Sequence, residues 1–303
     1  MTLRGVGLWS RAFRQLDAAR LAEVGAELEE LGYAALWLPG EMGGDVFGPA
    51  ERLLAATGRV TVAVGVLNIW MHDPAEVAAA HDVVAAKYPG RFLLGLGVSH
   101  GPAVDRYAAP LRAMREFLDR IEAEARVTWP ADRLLGALGA RMLELARERT
   151  AGAHPYLVTP EHTARARALL GPDALLAPEQ KVLLETDPGR ARSLARGRLA
   201  YLFDLPNYAN NLRRLGFGEG DLAGGGSDRL VDALVAWGDP ERVVARVAEH
   251  IAAGADHVTL HALSADPTAP ALDQWRRIAE ALPAARPGST AAAEPVTAKE
   301  GTR

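Results

Sequence analysis

Three stretches decide how this chain folds: Val60-Thr61-Val62-Ala63-Val64-Gly65-Val66-Leu67, then Asp73-Pro74-Ala75-Glu76-Val77, then Arg91-Phe92-Leu93-Leu94-Gly95-Leu96. The outer two are short apolar runs, the composition of strands buried on both faces. Between them Asp73 offers a side-chain oxygen to an orphan backbone N–H, and Pro74 loses nothing at the first helical position. Glu76 stands at capping-box spacing from Asp73. Strand, helix, strand in that order is a crossover unit with parallel strands.

Outward from this unit the pattern repeats. Apolar runs at Val6–Trp9, Ala34–Leu38, Val60–Leu67 and Arg91–Leu96 start 26–31 residues apart. Later runs at Arg133–Leu138, Pro155–Val158, Lys181–Glu185 and His257–Leu260 make about eight strands. Helical stripes lie between them, such as Leu21, Val24, Leu28 and Leu31, or Val244, Val247 and Ile251. Thr159-Pro160, Asp187-Pro188 and Asp239-Pro240 repeat the helix-opening signal. About eight units predict an α/β fold, a single (β/α)8 TIM barrel over residues 1–283, in preference to a doubly wound sheet. No convincing strand stands between Asp187 and His257, so a helical insertion around 201–237 is expected before the last strand. Residues 284–303 are Ala/Pro/Thr/Glu/Lys-rich and read as a disordered tail.

Composition narrows the function. The 303 residues are 49% hydrophobic and 24% charged with a net charge of −4, so no basic excess favours nucleic acid or an anionic membrane. There is no cysteine, which excludes disulfides, thiolate metal sites and a cysteine nucleophile. The start, Met1–Trp9, lacks the apolar core of a signal peptide, and no run of apolar residues is long enough to span a membrane. A cytoplasmic protein acting on a small molecule is expected.

In a barrel of this kind chemistry sits at the C-terminal strand ends. That rule selects Trp9 and Ser10 after the first strand, Glu41 after the second, and Asn68, Trp70 and His72 after the third. It also selects Val98, Ser99 and His100 after the fourth, Thr159 and His162 after the sixth, and His261 at the end of the eighth. No HExxH or two-histidine–carboxylate spacing accompanies the histidines, so no metal is expected. Ser10 lacks a nucleophile elbow. Trp70 reads equally as packing or as a pocket wall, and Gly95 and Gly97 as sites of close approach by a ligand or another backbone. Thr159-Pro160-Glu161-His162 opens a helix whose N–H groups suit an anion, although Thr159 reads equally as a cap alone.

Four segments carry a resemblance: Val64–Trp70, Arg91–His100, Ala151–His162 and Gly254–Val258. In these the chain resembles the luciferase-like monooxygenase superfamily, and most closely its actinobacterial coenzyme F420-dependent oxidoreductase branch. The resemblance runs from Gly5 to about Leu282. It implies a flavin or deazaflavin ring over the barrel mouth, and a non-prolyl cis peptide, here Gly65–Val66, against the ring. It further implies a ring edge lined by Val98, Ser99 and His100, and phosphate contacts from Gly152, Ala153, His154, Thr159 and His162. The sequence departs from the superfamily's sugar-phosphate dehydrogenases. Leu38-Pro39-Gly40-Glu41 replaces their acid and histidine, and His100 stands near their glutamate's place.

Put together, the expected protein is an F420-dependent oxidoreductase that moves hydride between the cofactor and a small organic substrate. His100 is the first candidate for proton transfer, Glu41 and His72 the next, with Trp9, Ser10 and Trp70 in the substrate pocket and Asn68 at the cofactor. His100 reads equally as a hydrogen-bond partner of the ring. The alternatives are an FMN-dependent monooxygenase using dioxygen and a non-catalytic flavin-binding protein. The Ala/Leu-rich helices around Ala50–Ala56 and Ala75–Ala86 could serve a homodimer or simply face the barrel.

Overall fold

The helix-opening aspartates act as their chemistry requires. Asp73 Oδ1 accepts from Ala75 N at 2.8 Å, Asp187 Oδ1 from Arg190 N at 2.7 Å, and Asp239 Oδ1 from Arg242 N at 2.9 Å. Each is followed by proline in the first turn, and each helix lies between two parallel strands. Thr159 occupies the same position but makes no side-chain cap bond. The computed structural model describes residues 3–101, 107–124, 130–264, 266 and 268–282. The tail expected over 284–303 lies outside them.

The strands are β1 Gly5–Trp9, β2 Ala35–Gly40, β3 Thr61–Asn68, β4 Phe92–Gly97, β5 Arg133–Leu135, β6 Gly152–Ala153, β7 Leu175–Leu176, β8 Glu179–Leu183, β9 Val235–Trp237 and β10 His257–Ala262. All pairings are parallel, in the order β7-β6-β5-β4-β3-β2-β1-β10-β8-β9. Strands β7 and β8 are two parts of one run, interrupted at Ala177-Pro178 because proline has no N–H for the ladder. The run bonds on both sides: Ala177 N to Ala153 O and Glu179 N to Pro155 O on one, Asp256 N to Leu176 O and Thr259 N to Pro178 O on the other. That bridging closes the sheet into a (β/α)8 barrel.

Two strand expectations are corrected. The sixth strand is Gly152–Ala153 rather than Pro155–Val158. Pro155 removes a donor and Leu157 takes a left-handed φ of 57°, so this apolar stretch is a loop. Within the span read as lacking a strand, Val235–Trp237 pairs with the upper part of β8. Its three residues follow directly on the helix Asp228–Leu234, whose apolar pattern hides them. The span is otherwise helical: Pro188–Phe203, Pro206–Arg214 and the short Glu219–Leu222 precede that helix.

Strand alternation sorts the core. Leu36, Leu38, Val62, Val64, Leu94 and Leu96 face the helical shell, while Trp37, Ala63, Leu93 and Leu134 fill the barrel interior. The insertion has its own apolar cluster around Leu199, Phe203, Leu212 and Leu230. Leu53, Leu54, Val77 and Val84, on the helices considered for a dimer, are buried in the barrel wall. Among the described residues no helix is long and apolar enough to cross a membrane.

Candidate active site at the barrel mouth

The mouth is shaped first by β3. Its register against β2 and β4 shifts around residues 65–66, where the Gly65–Val66 peptide is cis. Neighbouring glycines make the room. A Cβ on Gly97 would lie 2.4 Å from Val66 Cγ2, and one on Gly95 2.9 Å from Val66 Cγ1 and 2.3 Å from Val64 O. On the other side a Cβ on Gly40 would lie 2.8 Å from Val66 O. Gly95 and Gly97 therefore admit another strand's backbone and the Val66 side chain. Trp9 ties the bulge to β1 by donating from Nε1 to Gly65 O at 2.8 Å.

Above this bulge lies a cavity of about 440 Å³. Gly65, Val66, Val98 and Ser99 line it, as do Trp9, Glu41, His100 and His154. The insertion supplies Leu202, Leu205 and Tyr208, so the helices that follow β8 wall the site. Ser99 is held at φ 56°, and Asn207 Nδ2 donates to its carbonyl at 3.1 Å. His100 lies 4.6 Å, centroid to centroid, from the Tyr208 ring, and its buried Nδ1 has no hydrogen-bond partner. Burial holds the His100 imidazole below its ordinary pKa, against the nearby Asn207 amide, so it is neutral at pH 7. His154 is buried, bonds Ala177 O through Nδ1 at 2.6 Å, and leaves Nε2 unpartnered beside Gly65.

Other residues selected from the sequence stand outside the cavity lining. Ser10 caps the turn Arg11–Arg14 by accepting from Ala12 N at 3.2 Å. Asn68 links two loops, donating to Glu41 O at 3.3 Å and accepting from Trp70 N at 3.1 Å. Trp70 Nε1 donates to Val98 O at 2.6 Å and so props the cavity edge from behind. His72 is half-buried, its pKa lowered by burial and then by Arg14. Gly152 and Ala153 are taken up in the β6 ladder, and Thr159 and His162 are buried, with His162 Nε2 3.1 Å from Leu138 O. Among the described residues no group of three or more His, Cys, Asp or Glu converges to hold a metal.

A second cavity of about 660 Å³ adjoins the first and shares Arg11, Glu41, Tyr156 and Tyr201 with it. Here stands a cluster of which sequence reasoning singled out His261 alone. Lys181 Nζ donates to Glu179 Oε1 at 2.9 Å and Tyr156 OH at 2.7 Å, and lies 3.2 Å from His261 Nδ1. His261 Nδ1 is also 2.9 Å from Glu179 Oε1, and its ring lies against Trp9 at 4.2 Å. Burial would raise the Glu179 pKa, but the Lys181 ammonium and His261 bring it down to about 2. Burial and then Lys181 push His261 down to about 4, so it too is neutral at pH 7. The available signal was the i, i+2 pair Glu179 and Lys181, two charges on one face of a barrel strand.

Comparison with known proteins places this geometry in a class. A sequence profile of luciferase-like monooxygenases matches residues 5–257, and the chain belongs to that family. Among individual relatives, a Mycobacterium tuberculosis protein provisionally named a coenzyme F420-dependent oxidoreductase is 29% identical over 152 residues. The match covers 48% of this chain and 42% of the relative, so less than half of that protein's length is represented. The fold is shared with an F420-dependent secondary alcohol dehydrogenase solved with an F420–acetone adduct (TM-score 0.71, 14% identity, 94% of this chain and 100% of that one). It is shared as well with the F420-dependent tetrahydromethanopterin reductase of Methanopyrus kandleri (0.68, 15%, 93% and 98%). A third match is the oxygenating constituent of 3,6-diketocamphane monooxygenase from Pseudomonas putida with FMN (0.61, 16%, 93% and 98%).

Proposed function

We propose that the chain is a coenzyme F420-dependent oxidoreductase acting on a small organic substrate. The observation that carries this reading is the cavity built on the cis Gly65–Val66 bulge, with a partnerless buried imidazole nitrogen on its wall. A flat, largely apolar ring with polar edges fits such a cavity. Val66 offers a fixed apolar contact because glycines on either side of β3 hold it there, and Val98 and Leu138 extend the apolar surface. Ser99, His100 and His154 are the polar groups that would meet the ring's edge. The Mycobacterium tuberculosis relative supports the deazaflavin over other ring cofactors.

When bound, the deazaflavin supplies a ring carbon that donates or accepts hydride. The protein's own contribution is orientation, exclusion of water and proton handling. Leu202, Leu205 and Tyr208 wall the cavity with apolar and aromatic surface, which lowers water's access to the reacting pair. Neutral His100 has a free nitrogen that can take or give the proton accompanying hydride transfer. Glu41, paired with Arg11 at 2.7 Å, is less suited to that task because its charge is already compensated.

Titration of the purified chain with F420 and, separately, with FMN, followed by fluorescence quenching, tests the reading. Selective micromolar binding of F420 is expected. Selective binding of FMN would move the protein to the oxygen-using side of the family, and binding of neither would overturn the cofactor reading.

A further inference from the structure

The larger cavity is charged in a way the ring cavity is not. Arg11, Arg14, Lys181 and Arg198 line it, with Glu41 as the acid among its lining groups. Counting Glu179 behind Lys181 and Asp266 beside Arg198 still leaves positive charge in excess. The whole chain is net −4, so this is a local concentration of cations rather than a general excess. Arg14 is braced by the carbonyls of Pro39, Gly43 and Asp45, and Arg198 by that of Ser264. Both are thus fixed in place with their charge at the cavity wall.

The buried cluster adds a directed donor. Tyr156 accepts from Lys181 through its hydroxyl oxygen, which leaves its own O–H to donate elsewhere. His261 spends Nδ1 on the cluster. Its nearer partner there is the Glu179 carboxylate, which can only accept, so Nδ1 carries the proton and His261 serves to hold Glu179 in place. Arg11 acts electrostatically on both Tyr156 and His261, so these groups share one locale. A cavity with a directed hydroxyl donor, a buried ammonium behind it and arginines on its walls is complementary to an anion.

We propose that this cavity binds an anionic group, a carboxylate or a phosphate, with Tyr156 donating a hydrogen bond to it and Arg11, Arg14 and Arg198 facing it from the walls. The site itself stands apart from the cofactor reading. Only the bearer of the anion, a substrate or the cofactor's own phosphate, rests on that reading.

Calorimetric titration of the full chain with inorganic phosphate, and separately with succinate, tests the site without any cofactor. Saturable binding is expected. Arg11→Gln and Arg198→Gln should each weaken it about fivefold or more, and Glu41→Gln should tighten it, since that change removes the opposing charge. A merely structural role for these residues would not produce effects of opposite sign. Repeating the titration on the F420-loaded chain assigns the bearer. Undiminished phosphate binding means a substrate-borne anion, and loss of binding means that the cofactor's phosphate fills the site. Absence of saturable binding, or binding indifferent to all three substitutions, would overturn the proposal. If F420 fails to bind while the phosphate titration behaves as described, only the cofactor reading falls.

Discussion

At the scale of single residues, the mouth is governed by buried polar atoms without partners. A buried acceptor or donor left unpaired costs about 1–3 kcal/mol, so such an atom in a cavity wall is more economically explained by a ligand than by packing. His100 is the sharpest case, because its Nδ1 is partnerless although the Asn207 side chain stands beside the ring and donates to Ser99 O. Replacing it as His100→Ala should lower kcat by about a hundredfold while leaving F420 affinity within about threefold, the signature of a proton-transfer group. Steady-state kinetics beside a cofactor titration would check this. A rise in cofactor Kd with kcat preserved at saturation would assign His100 to holding the ring instead. The imidazole's lowered pKa means that its base form persists below pH 6.5, so any acid limb it imposes on activity lies below that value.

At the scale of elements, the decisive feature is a strand that departs from regular pairing and neighbours that make space for it. The β3 bulge exists with Gly40 on β2 and Gly95 and Gly97 on β4. Gly97→Ala would bring a methyl group to 2.4 Å from Val66 Cγ2, and β-branched Val66 has little rotamer freedom to yield. Overpacking of this kind costs about 1–3 kcal/mol. The expected outcome is a lower thermal midpoint and weaker cofactor binding, with Val66→Ala restoring the midpoint in the double variant. A double variant no more stable than Gly97→Ala alone would show that the contact is not the cause. The glycines were visible in the sequence, and so was the choice between ligand and backbone as the approaching group. Which of the two approached was not, because the answer is a contact between residues some 30 positions apart.

At the scale of the whole molecule, the barrel is closed by a strand run interrupted at Pro178, and a side-chain clasp supports that seam. Arg167 binds Asp256, and Asp256 also accepts from Leu176 N at 3.0 Å, joining β7 to the turn before β10. Several histidines are buried in the interior. Burial holds His81, His154 and His261 at about 4 and His250 and His257 at about 3, against an ordinary value of 6.5. Their folded values lie below the unfolded one, so the unfolded chain binds more protons once the pH drops under 6.5. The stabilisation is present above pH 6.5 and is lost as pH falls from there through the folded values of about 4 and 3. Each such histidine removes roughly 1 kcal/mol between pH 6.5 and 5.5. Urea midpoints measured at pH 7.5, 6.5 and 5.5 should therefore fall steeply only across the last interval, and a flat profile would contradict the buried neutral state.

Strand–helix alternation, the proline-marked helix starts, the barrel and the helical excursion were all legible in the linear sequence. They depend on local chemistry: caps, proline geometry and hydrophobic period. So was the family, through the segments around Val64–Trp70 and Arg91–His100. The sixth strand was misplaced because Pro155–Val158 is apolar, while its unsuitability for a ladder lies in one missing N–H and one left-handed residue. Of the Glu179–Lys181–Tyr156–His261 cluster, His261 and the i, i+2 spacing of Glu179 and Lys181 were visible, but the convergence of all four was beyond linear reading. Its members come from a loop and two strands separated by up to 105 positions, and they meet only because β8 and β10 pair. Local propensities act over a few residues and can be read in order along the chain. Convergence at the mouth is a consequence of strand register and barrel closure, which bring distant side chains to one end of the molecule and settle which charges face which.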